Sequence, residues 1–233
     1  MNNLPQLLEK RMFYYEYKLR HTIPNVKTIE VTGPPGVGKS SFVDMLVKRG
    51  VVERSRIFRP FLWVYEMTMR TNPEVLSLEE VLRKEKRYDA KIASKKWMIM
   101  RDPIFKKGKG TWLFDEYFCH HFPKVIMEEL SSGSRGSLIL QNRMVVILAT
   151  EPAQIAENIK KRFDKTRKIL PIHRGKSRVE LEKESSRSLA WRKDLLRLLQ
   201  KHGIPCLEVD LSTGLSHAVD EFVADLSAYY NRM

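Results

Sequence analysis

The run Gly33-Pro34-Pro35-Gly36-Val37-Gly38-Lys39-Ser40 has the residue types and the spacing to hold a polyphosphate. It fits the phosphate-binding loop pattern, Gly, four residues, Gly-Lys-Ser, without a mismatch. Average residue usage would give such a match in roughly one chain in a hundred of this length. Glycines let the backbone approach a phosphate closely and take up positive φ, so successive N–H groups can turn inward as an anion nest. Lys39 is then placed to reach the β- and γ-phosphates, and the Ser40 hydroxyl to ligate Mg²⁺. Gly33, Gly36, Val37, Gly38, Lys39, Ser40 and Ser41 are the nucleotide-binding residues expected on this basis. The plainer alternative is a glycine turn between a strand and a helix, but such a turn requires neither Lys39 nor Ser40.

A second group of candidates is Asp115-Glu116, which ends the apolar run Thr111-Trp112-Leu113-Phe114. A buried strand ending in Asp beside a phosphate-binding loop holds Mg²⁺, usually through a water. Asp115 is therefore expected in the metal shell together with Ser40, and Asp115 or Glu116 as a catalytic base. The alternative is that Asp115 caps a helix starting near Tyr117. A third group lies in residues 160–178, where nine residues are Lys or Arg and one is acidic. Arg162 and Arg167 are candidates there to close over a transferring phosphoryl group and exclude water. That makes 161–180 an expected mobile lid, with a solvated basic loop as the alternative.

These groups need a scaffold. Thr28-Ile29-Glu30-Val31-Thr32 reads as a strand feeding the loop, and Ser41 to Val47 as a helix whose positive dipole end supports it. The spacing of Leu7, Leu8, Met12, Tyr15 and Leu19 predicts a helix over 6–20 packed on the domain, with a membrane-surface helix as the alternative. A second strand is expected from Ile57 to Phe58 or Arg59, since Pro60 blocks a strand interior, then a short helix over 63–72. Ser77-Leu78-Glu79-Glu80 reads as a capping box opening a long helix that Pro103 stops. A helix over 117–130 and a glycine-containing loop over 131–137 follow. Met144–Ala149 is a continuous buried strand, with Pro152 opening the next helix. A helix from Val179 to His202, a last strand at Cys206–Asp210 and an amphipathic helix over 215–230 complete the chain. Strands alternating with helices call for a parallel sheet covered on both faces.

The 233 residues suit one domain with an N-terminal helical extension over 1–25. Lys and Arg number 42 against 28 Asp and Glu, a net charge of +14. Such an excess suits a polyanionic partner, nucleic acid included, or serves solubility alone. Two cysteines without a recurring spacing point to a reducing cytoplasm rather than a disulfide framework. No apolar run reaches the roughly 18 residues of a membrane span, and Pro5, Glu9, Lys10 and Arg11 stand where a secretory leader needs an apolar stretch.

In layout, residues 27–211 resemble the P-loop nucleoside and nucleotide kinases, thymidylate and deoxynucleoside kinases most of all. The resemblance rests on the loop at 33–40, the strand end at Asp115, and strand 144–149 followed by Glu151-Pro152-Ala153 and a helix ending Lys160-Lys161-Arg162. It extends to Ile204–Asp210 as the final strand. It implies a P-loop NTPase fold: an α/β domain with a parallel sheet of about five strands, helices on both faces and a basic lid. It also implies transfer of the γ-phosphoryl of Mg–ATP to a small acceptor, such as a nucleotide or nucleoside, with Arg162 on the donor phosphates. Two departures bear on the acceptor. Those kinases carry Asp-Arg or Glu-Arg where this chain has Asp115-Glu116. The deoxynucleoside kinases carry a glutamate base where this chain has Arg59-Pro60, and an arginine there suits an anionic acceptor. Asp115-Glu116, Val146–Thr150 and Lys161-Arg162-Phe163-Asp164 are also similar to AAA-type ATPases. That likeness implies Glu116 activating water, Thr150 sensing the γ-phosphate and Arg162 acting across a subunit interface on nucleic acid. A polynucleotide end or a non-nucleotide small molecule as acceptor, and a homodimer as assembly, stay open.

Overall fold

Every residue of strand β2 (Thr28–Thr32) is buried, because a neighbour hydrogen-bonds along each side and helices cover both faces. The computed structural model describes residues 13–84, 88–132, 139–166 and 173–231. β2 lies between β4 (Trp112–Asp115) and β5 (Arg143–Ala149), both parallel to it, and β6 (Cys206–Asp210) pairs in parallel with β5. On the other side β1 (Phe13–Leu19) runs antiparallel to both β4 and β3 (Val52–Phe58). Among the described residues the sheet therefore has six strands, in the order β3-β1-β4-β2-β5-β6.

Helix α1 (Lys39–Lys48) follows the glycine loop, and α2 (Arg59–Met69), α3 (Pro73–Leu82) and α4 (Tyr88–Lys107) lie between β3 and β4. Helices α5 (Phe118–His121) and α6 (Pro123–Ser132) precede β5. Helices α7 (Pro152–Thr166) and α8 (Arg178–Lys201) separate β5 from β6, and α9 (Leu215–Asn231) ends the described chain. Two cores form, one per sheet face. Phe42, Leu46, Val31, Val146, Ile155 and Phe222 belong to one, where Phe42 and Phe222 meet edge-to-face at 5.3 Å. Phe105, Phe114, Phe118, Val145, Ile147 and Leu195 belong to the other. The alternation of Val145 and Ile147 with Val146 and Leu148 between the two is the two-residue period of a strand covered on both sides.

The expected α/β architecture is present, with four corrections. Residues 13–19, predicted helical, form β1. The run Phe-Tyr-Tyr-Glu-Tyr-Lys-Leu is rich in aromatic residues that fit a pleated surface, and all seven of them pair with β3. The rest of the helix predicted over 6–20 precedes the described residues. The sheet accordingly has six strands rather than five, one of them antiparallel. Ser77 opens no helix: α3 begins at Pro73 under an Asn72 cap whose side chain accepts from Glu74 and Val75 N–H. Pro103 lies inside α4 rather than ending it. Finally, the helix predicted over 117–130 is broken at Phe122, ahead of Pro123, into α5 and α6. The loop predicted over 131–137 falls mostly on residues outside those described.

Candidate active site

The phosphate-binding loop is shaped by two close approaches. A Cβ on Gly33 would come within 2.8 Å of Val37 Cγ1 and 3.0 Å of the Leu148 carbonyl. One on Gly36, at φ 86°, would come within 2.7 Å of Ile159 Cγ1. Only glycine fits, and Gly38 at φ 111° turns the chain into α1. Asn158 of α7 fixes the loop from outside, donating to the Gly36 carbonyl at 2.9 Å. Val37 is buried and packs in the core, whereas Ser40 and Ser41 stand exposed at the start of α1.

Lys39 is nearly buried, and its ammonium group donates to the carbonyls of Gly33 and Pro34 at 3.1 and 3.3 Å. It also pairs with Glu116 at 2.9 Å. The Ser40 hydroxyl donates to Asp115 Oδ2 at 3.4 Å. The parallel β2–β4 register, with Val31 level with Asp115, produces this meeting of loop and carboxylates. Asp115 does not cap the helix after it. That task falls to Glu30, fully buried on β2, whose Oε1 accepts from the Tyr117 and His120 N–H groups at 3.1 and 2.9 Å. Glu116 sits at φ 67°, a left-handed conformation that costs a non-glycine residue about 1–2 kcal/mol. In that conformation its carboxylate reaches Lys39 and, at 3.4 Å, His120 Nε2.

The two carboxylates are pushed apart. Burial, the largest influence, and the adjacent Glu116 charge raise Asp115 above its ordinary value, with Lys39 and Ser40 pulling the other way. Burial acts on Glu116 in the same sense, but Lys39 and His120 outweigh it and hold Glu116 below its ordinary value. Adjacent acids separated in this way can take different roles.

Arg192 was not foreseen from sequence. It is buried on α8 and donates to the Gly33 carbonyl at 2.9 Å through Nη2 and to the Ser188 carbonyl at 2.9 Å through Nη1. Its guanidinium lies 4.3 Å from the Trp191 ring centroid. Burial pushes it down to about 10, against the pull of Glu116. The signal available was an arginine on the inward stripe of α8 with Leu181, Ser185, Leu195 and Leu199. A second buried arginine, Arg143, supports the turn after β4. It pairs with Asp102 at 2.7 Å and lies 4.8 and 4.9 Å from the Tyr117 and Phe118 ring centroids.

The structure thus brings Gly33, Gly36, Gly38, Lys39, Ser40, Asp115 and Glu116 together. Arg162 lies exposed on α7. Arg167 lies outside the described residues. Of the lid predicted over 161–180, the described parts are the last turns of α7, the stretch 173–177 and the start of α8. Ser177 opens α8 with a capping box to Glu180. Thr150 lines a cavity at the C-terminal ends of β5 and β6, with Glu151, Ser186, Lys193 and Asp210. No described helix is long and apolar enough to cross a membrane.

The residues present fit a nucleotide and Mg²⁺. Gly33 and Gly36 press the loop backbone against Val37, Leu148 and Ile159 with no room for a Cβ, and Gly36 and Gly38 take the positive φ that a loop turning its N–H groups inward uses. Asp115 Oδ1 is buried without a hydrogen-bond partner among the described residues, beside the exposed hydroxyl of Ser40. A comparison with curated proteins finds no match. A family model described as AAA domain matches residues 29–189, which hold the loop, both carboxylates and Arg162. With that match covering more than half of its length, and with the loop geometry above, this chain belongs to the AAA domain family of P-loop nucleotide-binding proteins, of kinase or ATPase type.

Proposed function

We propose that the protein is an ATP-dependent phosphotransferase of the nucleoside and nucleotide kinase type, passing the γ-phosphoryl group of Mg–ATP to a small anionic or hydroxyl-bearing acceptor. The observation that carries this reading is the convergence of Lys39, Ser40 and Asp115 between adjacent parallel strands. Ser40 and Asp115 would hold Mg²⁺, which neutralises charge on the phosphates when bound. Lys39 exchanges Glu116 for phosphate oxygens. Gly36, Val37 and Gly38 present N–H groups to the phosphates, and the start of α1 adds its dipole. Asp115 or Glu116 is the proton acceptor for an incoming hydroxyl, and Lys39 and His120 hold Glu116 ionised in the free site. Exposed Arg59, just past β3, supports an acceptor that carries negative charge. Arg162 and Arg167 are proposed on the donor phosphates.

The family match also fits a second reading, an ATPase, for which the net charge of +14 suggests nucleic acid as the partner. In that reading Glu116 must activate water. Lys39 leaves Glu116 when phosphates arrive, and His120, 3.4 Å from the carboxylate, stays beside it. Incubation with labelled ATP and a panel of nucleosides, nucleotides, oligonucleotides and small metabolites tests the proposal. Transfer of label to an acceptor supports it. Release of inorganic phosphate alone, stimulated by nucleic acid, overturns it in favour of the second reading. The protein is expected in the cytoplasm.

A further inference from the structure

Strand β1 lies outside the region matched by the family model, and it is inserted between β3 and the strand that carries Asp115. Its register has a consequence for the site. Tyr17 is level with Leu113 of β4 and with Arg54 of β3, and Tyr15 is level with Arg56. The β1–β4 pairing ends at Tyr17 and Leu113, and Tyr15 and Asp115 each lie two residues further in the same direction, on the same face. Alternate residues share a face, so Asp115, Tyr15 and Arg56 form one row across three strands on one side of the sheet. Leu113, Tyr17 and Arg54 form the next row. This is the α1 side of the sheet, because Leu113 and Tyr17 join the α1 core and Asp115 meets Ser40 there. Glu16 and Glu53 have the opposite parity and belong to the other face.

Both rows hold the same pair. Arg56 lies 6.0 Å from the Tyr15 ring centroid and Arg54 5.7 Å from that of Tyr17. Tyr15 and both arginines are exposed. One aromatic ring and one guanidinium, repeated at the two-residue step of a strand, match a ligand that repeats a planar base and a phosphate. Bases stack on aromatic rings and arginine planes without regard to sequence, and the phosphates meet the cations. The net charge of +14 suits a polyanionic partner of this class.

We propose that the β1–β3 face binds single-stranded nucleic acid and presents its terminal nucleotide to Asp115. The strand end is then the phosphoryl acceptor; this last step rests on the phosphotransferase reading, whereas the binding does not. The shared chemistry, base plus phosphate, is also that of a free nucleotide, and the two Tyr–Arg rows select the strand.

The test is fluorescence anisotropy with an oligothymidylate of about 12 nucleotides, labelled at its 3′ end, over a range of salt. Wild type is expected to bind, more weakly as salt rises. Arg54→Ala/Arg56→Ala, at exposed positions, is expected to lose at least about tenfold in affinity and to flatten the salt dependence. Tyr15→Leu is expected to weaken binding about fivefold or more at an unchanged salt dependence. Lys39→Ala is expected to lose ATP and keep the oligonucleotide. Phosphorylation of the 5′ hydroxyl of the bound strand supports the whole proposal. Binding that obeys these variants without phosphorylation keeps the surface and overturns the strand end as acceptor. Wild-type affinity in the arginine and Tyr15 variants, equal affinity for duplex, competition by thymidine monophosphate as strong as by the oligonucleotide, or binding only to phosphatidylserine vesicles overturns the surface.

Discussion

Lys39 and Arg192 converge on one oxygen: both donate to the carbonyl of Gly33, from 3.1 and 2.9 Å. One cation belongs to the loop and the other to α8, 159 residues beyond Gly33 along the chain. A buried arginine held by backbone carbonyls is costly unless its charge has a use. Here it fixes the first residue of the phosphate-binding loop and helps to present the Lys39 ammonium.

Arg192→Ala should therefore act through the loop. The expected effect is a rise in KM for ATP and a fall in kcat/KM of about 10²-fold, as small misplacements in a site produce. Arg192→Lys keeps the charge and one donor, and should recover part of the loss. Near-UV circular dichroism of both variants checks the fold. Full activity in a folded Arg192→Ala variant would show that the shared carbonyl has no positioning role.

Lys39 and Glu116 give a prediction with two directions. Their 2.9 Å pair has to open when phosphates arrive. Lys39→Ala should weaken nucleotide binding by about tenfold or more and abolish turnover, since the phosphates lose a charge-assisted donor. Glu116→Gln removes the competing carboxylate and should tighten binding about fivefold, the equivalent of about 1 kcal/mol. Titration calorimetry with a non-hydrolysable ATP analogue reads both. Weaker binding by Glu116→Gln would mean that Glu116 holds the site together rather than competing with the ligand.

The loop, the Asp115-Glu116 strand end and the central strands were legible in the sequence because each rests on local signals: glycine spacing, apolar runs and their flanks. The first strand was not. Tyr15 and Leu19 suit either a helical stripe or a pleated face, and only pairing with β3 and β4 decides. Ser77 matched a capping box, yet Asn72 and Pro73 start the helix five residues earlier. Arg192 and Glu30 were missed for a different reason. Each acts on a backbone group distant in sequence, Gly33 in one case and Tyr117 and His120 in the other, and no spacing rule encodes such a contact.

Glu30 predicts a pH dependence of stability. It is fully buried, and desolvation raises it above 4.5 despite the Arg143 charge and the N–H groups that it caps. A carboxyl raised on folding contributes its full stability below its unfolded value. That contribution is lost as pH climbs from about 4.5 towards the folded value. Glu30→Gln keeps an oxygen acceptor for Tyr117 and His120 and has no charge to bury. Its unfolding midpoint in urea should therefore improve relative to wild type between pH 4.5 and neutrality. A difference independent of pH would mean that Glu30 ionises in the fold as readily as in the unfolded chain.

Asp115 predicts a pH dependence of turnover. Ionised, it holds Mg²⁺ or accepts the proton, so Asp115→Asn should lose about 10²-fold or more at unchanged shape. Because burial and the Glu116 charge raise it, the acid limb of kcat/KM should lie above the usual aspartate range. Neighbours should move that limb in opposite senses. Ser40→Ala removes a hydrogen bond that lowers Asp115, so the limb should shift to higher pH. Glu116→Gln removes the like charge and releases Lys39 from its pair, so the limb should shift to lower pH. The profile of kcat/KM for Mg–ATP from pH 4 upward reads both shifts. Limbs that coincide in wild type and both variants, or an Asp115→Asn enzyme that turns over normally at limiting Mg²⁺, would remove Asp115 from the reaction.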